Sequence, residues 1–146
     1  MMIIIPGIPQ AWTAPRVTRN GHTFSPKYQL KLDAQCHVRN QYHSSPVKPV
    51  DYAVSIEIVF SMPIPKSTTK KMLKSILDGD VPHTKKPDID NMCKYAIDVI
   101  KGIVILDDNQ VCELRARKEY SLEPRTLMTI IPMVKKCLSS QVSLRK

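Results

Sequence analysis
The stretch that most constrains this fold runs from Lys85 to Lys118, KKPDIDNMCKYAIDVIKGIVILDDNQVCELRARK. Its apolar period changes along its length, which divides it into a helix, a short connection and a strand. Pro87 biases Lys86 toward extended backbone, and Asp88 then stands as N-cap, with Asn91 three residues on. Ile89, Met92, Cys93, Ala96, Val99, Ile100 and Ile103 recur at three- and four-residue spacing, which marks one buried helical face. Asp90, Lys94 and Asp98 line a different, polar face. Lys101-Gly102 is a stop signal, a cation in the last turn with a glycine after it. Ile103 to Leu106 form a short apolar run that delivers Asp107-Asp108 to a turn. Beyond it, Cys112, Leu114, Ala116 and Tyr120 alternate with Glu113, Arg115, Arg117 and Glu119, which predicts a strand with one apolar and one charged face.

The four most suggestive acids, Asp88, Asp90, Asp107 and Asp108, fall in this unit although the chain carries a net charge of +9. Carboxylates brought together in a basic protein suit a hard cation. Mg²⁺ takes oxygen ligands, keeps several waters and uses few carboxylates beside substrate phosphate oxygens. Such an ion orients a water and stabilises charge on a phosphate under attack, and Lys94, one turn from Asp90, is placed to add electrostatic stabilisation. A plainer reading stands beside this one. Acids in a first helical turn satisfy the macrodipole and the orphan N–H groups. Asp90 and Lys94 make an ordinary i,i+4 pair, and Asp107-Asp108-Asn109 makes a polar turn.

PDIDNMCKYAIDVIKG followed by LDDNQVCEL resembles the RusA family of Holliday junction resolvases. The family pattern is a PDxDN…K helix start and then a DD-S/A/N-Q-V turn entering a strand. Pro87, Asp88, Asp90, Asn91, Lys94, Asp107, Asp108, Gln110 and Val111 match it. The resemblance implies Mg²⁺-dependent cleavage of four-way junction DNA by a homodimer. It implies Asp88 and Asp90 as two essential carboxylates and metal ligands, and Lys94 as the essential lysine. Asp108 aligns best with the third carboxylate, and Asp107 is an alternative ligand. The segment PRVTRNGHTFSPK, Pro15 to Lys27, also resembles the family's amino-terminal PxPRxTrxG-x-x-Y-x-P-K, except that Ala14 stands where an arginine is common.

The charge, 22 Lys+Arg against 13 Asp+Glu, favours a polyanion partner, nucleic acid before an anionic membrane. Arg16, Arg19, His22 and Lys27 flank Asn20-Gly21, a type I′ hairpin signal, and the hairpin reads either as a phosphate contact or as a solvated turn. His83, Lys85 and Lys86 form a second basic cluster ahead of the acids, fit to hold flanking phosphates or merely to neutralise acid repulsion. Arg16, Arg19, Lys27, Lys85 and Lys86 are therefore the candidate DNA-binding residues. Cys36, Cys93, Cys112 and Cys137 show no zinc spacing, and three of them fall on apolar faces as reduced core residues. With no signal peptide and no long apolar span, the expectation is a cytoplasmic protein without membrane contact.

In chain order, Met1 to Ile5 reads as a strand, central because both faces are apolar. Ser25-Pro26 opens a helix to about Gln41, with Tyr28, Leu32 and Cys36 on its buried stripe. Tyr52 to Met62 alternates as a strand with one buried face, ended by Pro63 and Pro65. Ser67 to Leu77 reads as a short basic helix, and Arg125 to Val134 as a last strand. The expected fold is α+β, a single RusA-like endonuclease domain over 1–134 with a mixed sheet packed by helices, followed by a tail over 135–146. The expected function is a Mg²⁺-dependent endonuclease making paired nicks in four-way junctions. The alternatives are a non-catalytic basic DNA-binding protein and a nuclease for flaps or other branched DNA. Val104 and Ile105, beside the acidic turn, are candidates for the dimer contact.

Overall fold
The structure, a computed structural model, describes residues 1–42 and 48–133. The tail expected at 135–146 lies outside the described residues, as does Cys137. In chain order the elements are β1 (Met2–Pro6), β2 (Arg16–Val17), β3 (Thr23–Phe24), α1 (Tyr28–Tyr42), β4 (Val54–Pro63) and α2 (Lys70–Leu77). They continue with α3 (Ile89–Ile100), a 3₁₀ turn at Asp108–Gln110, β5 (Val111–Ser121) and β6 (Arg125–Pro132). Four strands form one mixed sheet in the order β1-β6-β4-β5. β4 pairs antiparallel to β6 and parallel to β5, so the chain crosses over between β4 and β5 through α2 and α3. The expected α+β domain with a mixed sheet is what forms.

One face of the sheet carries the core. Val54, Ile56, Ile58, Phe60 and Met62 alternate along β4 and are all buried, and Ile3 and Met128 continue that face. Against it pack Met92, Cys93, Ala96, Val99 and Ile100 of α3, as their spacing predicts, together with Tyr95. Burying an aliphatic side chain of this size contributes about 1.5–3 kcal/mol, whereas an N-cap bond is worth about 1. Packing, not capping, therefore holds α3 in place. The opposite sheet face is more open, with Glu57 exposed and 4.0 Å from Arg115.

Several expectations require correction. β1 is an edge strand, paired only with β6. Its apolar character is compatible with an edge because α1 covers it. The Gln41 amide accepts from Ile4 N–H at 2.8 Å and donates to the Ile4 carbonyl, taking the place of a neighbouring strand. α1 buries Ala34 and Val38, whereas Tyr28 and Cys36 are exposed. Small residues allow this helix to approach α3 and β1, and the larger Tyr28 side chain is left outside. Cys93 is buried, but Cys112 is exposed. Tyr52 lies before β4 and is also exposed. The β2–β3 hairpin is not type I′, since among the described residues, Asn20 included, no non-glycine residue has positive φ. Gly21 N–H donates to Thr18 O at 3.0 Å and Thr18 N–H to His22 O at 2.8 Å, with Gly21 at φ 79°. That is a three-residue loop, a type I turn followed by a left-handed glycine. Val104 and Ile105 are completely buried and cannot supply a dimer contact.

Candidate active site
The site is built where α3 begins and where the turn before β5 lies beside it. Asp88 occupies the N-cap position with extended backbone, yet its side chain makes no capping hydrogen bond. Asp90 follows in the first turn, exposed. Among the described residues neither carboxylate takes part in an ion pair. The plain capping reading of Asp88 therefore lacks its bond, and the i,i+4 pair of Asp90 with Lys94 is not formed.

The approach to Asp88 is fixed from β5. Lys118 shares the helix-covered face with its register partner Phe60. Its ammonium donates to the Lys85 carbonyl at 2.8 Å and to the Pro87 carbonyl at 2.9 Å. Behind this loop His83 is buried, its ring centroid 4.6 Å from that of Tyr120 and its Nδ1 without a partner. Burial, and secondarily the charge of Lys118, pushes the imidazole below its ordinary value. His83 is thus a neutral wedge under the loop, not the surface cation its place beside Lys85 and Lys86 suggested. Lys85 and Lys86 themselves are exposed.

Lys94 lies on the exposed face of α3, and its ammonium sits 3.7 Å from the centroid of the Trp12 ring. The Trp12 loop is tied down on both sides. Trp12 N–H donates to Asn91 O at 2.7 Å, and Lys27 Nζ donates to Ala11 O at 2.9 Å. Lys27 is therefore partly committed to the loop, and burial pushes its ammonium below the usual lysine range. Arg16 and Arg19 are exposed on the hairpin, as a phosphate contact requires. One groove is lined by Trp12, Thr13, Lys27, Lys86, Asp88 and Asn91.

The second pair of acids is held by the end of α3. Lys101 and Gly102 are the central residues of a turn closed by Ile103 N–H to Ile100 O at 3.1 Å; the turn is type II, with Gly102 at φ 74°. It leads into the buried residues Ile103, Val104 and Ile105. Asp107 caps the 3₁₀ turn by accepting from Asp108 N–H at 2.9 Å, and Gln110 Oε1 accepts in return from Asp107 N–H at 2.9 Å. Gln110 also donates to the carbonyls of Val50 and Tyr52, which anchors the turn to the start of β4. Lys101 pairs with Asp107 and lies 3.1 Å from Asp108. Hydrogen bonds from Lys101 first, and then from Asp108, hold the Asp107 carboxyl down at about 2. Asp107 is thus structural in this state, and Asp108 is the more exposed of the two. Asp108 shares a surface depression with Lys94, Ile97, Asp98 and Leu114.

Lys94 thus stands between the groove holding Asp88 and the depression holding Asp108. Among the described residues, however, no three acids, histidines or cysteines stand close enough to enclose a metal. Among the described residues Asp88 makes no capping bond and neither it nor Asp90 joins an ion pair, which fits a cation that takes few carboxylates and completes its shell with water and phosphate. They do not form a closed cage with Asp107 and Asp108. Trp12, Lys101 and Lys118 were not legible as members of the site. The single tryptophan beside a basic segment was a weak signal for Trp12, and Lys118 gave none, because its partners are backbone carbonyls.

No described helix is long and apolar enough to cross a membrane. A curated relative, "Uncharacterized protein YqaN" of Bacillus subtilis (strain 168), is 37% identical over 79 residues, which is 53% of this chain. The chain spans about half the length of that relative, 56% of it. The family model described as "Endodeoxyribonuclease RusA" matches residues 6–131, and this span includes both acidic segments, Lys94 and every strand except β1, of which it holds only Pro6, and the final residue of β6. On that match the chain belongs to the RusA endodeoxyribonuclease family.

Proposed function
We propose that this protein is a Mg²⁺-dependent endodeoxyribonuclease that resolves four-way junction DNA in recombination and repair, acting as a homodimer. The observation that carries the reading is the exposed face of α3, where, among the described residues, Asp88 and Asp90 keep carboxylates outside any ion pair, Asp90 one turn from Lys94, whose ammonium is likewise in none. A helix that needed these acids only as caps would use them as caps.

Asp88 and Asp90 would hold the cation, with Asp108 as a third carboxylate once Lys101 gives it up. The bound ion would supply charge stabilisation at the scissile phosphate and orient a water. The chain's own groups do the rest. Lys94 donates to a phosphate oxygen as negative charge builds there. Lys85, Lys86, Arg16 and Arg19 hold phosphates on either side, with Lys27 contributing from the groove wall, and they release counterions on binding. Lys118 fixes the loop that aims Asp88. Two such sites related by a two-fold axis would nick both strands of a junction symmetrically. Leu106 and Leu114, exposed near Asp108, replace Val104 and Ile105 as apolar residues fit for that contact.

Cleavage assays on a four-way junction, a flap and a linear duplex, with Mg²⁺, test the reading. Rapid paired cutting of the junction supports it. Preference for the flap transfers the site to other branched DNA, and binding without cutting makes the protein a non-catalytic DNA binder.

A further inference from the structure
Three carboxylates neighbour Lys94, of which Asp98 is itself 3.9 Å from Lys31. Asp90 and Asp98 lie one turn away on α3, and Asp108 lines the same depression. Lys94 forms an ion pair with none of them among the described residues. Its ammonium instead rests 3.7 Å from the centre of the Trp12 ring. An aromatic face attracts a cation through its quadrupole without occupying the N–H donors in hydrogen bonds. The Trp12 backbone is itself held in place, since its amide N–H donates to the Asn91 carbonyl, one turn before Lys94 on the same helix. Ala11 beside it is buried and accepts from Lys27.

We propose that Trp12 is a positioning residue that holds the Lys94 ammonium clear of Asp90, Asp98 and Asp108, so that its donors remain available to the scissile phosphate. This rests on the nuclease reading above. Without the ring, Lys94 falls onto a neighbouring carboxylate, and its charge is neutralised before substrate arrives. The contact acts on the rate at saturating DNA rather than on binding, because Trp12 itself carries no charge for the phosphates.

The chain has one tryptophan, so biosynthetic incorporation of mono-, di- and trifluorotryptophan alters only this ring. Fluorine withdraws density from the ring face with little change in size. Single-turnover junction cleavage is expected to fall stepwise with fluorination, by about three- to tenfold over the series, with junction affinity constant. Trp12→Phe should fall within the range of the series and Trp12→Leu below it, and in a Lys94→Ala background the residual rate should not depend on fluorination. A flat series in protein that cleaves normally overturns the positioning role alone. Unfluorinated protein that binds junctions and never cuts them overturns the nuclease reading and the positioning role together.

Discussion

Lys101 bridges both acids of the turn before β5, pairing with Asp107 and lying 3.1 Å from Asp108. Asp107 and Asp108 can therefore sit side by side without repelling the turn open. Replacing Lys101 with Met should raise the Asp107 carboxyl from about 2 toward the ordinary carboxylate range. It should also lower the Mg²⁺ concentration needed for half-maximal cleavage, because Asp108 no longer has a competing cation. Carbon-13 NMR of the aspartate carboxyls against pH checks the first effect, and a Mg²⁺ titration of cleavage the second. An Asp107 titration that stays near its original position would show that the turn, not Lys101, lowers it.

Asp88 and Asp90 should matter to chemistry and little to stability. Asp88 makes no capping bond, so Asp88→Asn and Asp90→Asn should each change unfolding free energy by less than about 0.5 kcal/mol. Cleavage should drop by at least about a hundredfold, the scale for removing one group that stabilises a charged transition state. Urea melts and single-turnover assays on the same preparations separate the two. Loss of the folded state in either variant would restore the capping role.

Much of this was legible in the sequence because it depends on local period. The α3 face and the alternation of β4 follow from residue spacing, and packing does not override them. The motif acids were legible by type and place. Sequence position does not encode what their side chains touch. Asp107 and Asp108 differ by one residue, yet only Asp107 caps the turn. β1 looked central because no local pattern distinguishes a strand covered by strands from one covered by Gln41. Leu114 does alternate onto the core side with its register partner Ile56, but β5 is an edge and it remains exposed there, while Cys112 is left without a register partner at the irregularity where Val111 takes the core side. Lys94 and Trp12 lie far apart in the chain, and their segments meet through the Asn91 carbonyl bond and the packing of Ala11 and Trp12 on the core, which no local pattern encodes.

Lys118→Met should leave the loop before Asp88 with two unsupported carbonyls. The expected cost is about 1–3 kcal/mol, with faster amide exchange around 84–88 and slower cleavage at unchanged junction affinity. Lys118→Arg should restore stability better than cleavage, because a planar guanidinium does not reproduce the aim of a compact ammonium. Exchange rates equal to the native ones in Lys118→Met would mean the loop is held by other contacts.

His83 predicts a pH dependence of stability. Its folded-state value is depressed below the ordinary 6.5, chiefly by burial. Below that ordinary value the unfolded chain binds the proton more readily than the folded one. Stability is then full above about 6.5 and declines as pH falls toward the depressed value. His83→Phe keeps a ring against Tyr120 and removes the titration, so its stability should be flatter across that window. Parallel slopes in the two proteins would assign the acid sensitivity to other groups.

Arg16, Arg19, Lys85 and Lys86 should each act through counterion release. Neutralising one true phosphate contact should lower the salt slope of log K by about 0.9 regardless of DNA sequence. Fluorescence anisotropy across a salt series measures it. Unchanged slopes for all four would move the DNA surface elsewhere, for example to Lys70, Lys71 and Lys74 on α2.

The most direct test maps cleavage of a mobile four-way junction at nucleotide resolution, with and without Mg²⁺, for the native protein and Asp90→Asn. Symmetric paired nicks by the native protein in Mg²⁺ are expected. No cutting is expected without the metal, or from Asp90→Asn, which should still bind the junction. Native protein that binds the junction but leaves it intact in Mg²⁺, or Asp90→Asn that cuts at the native rate, would contradict the account.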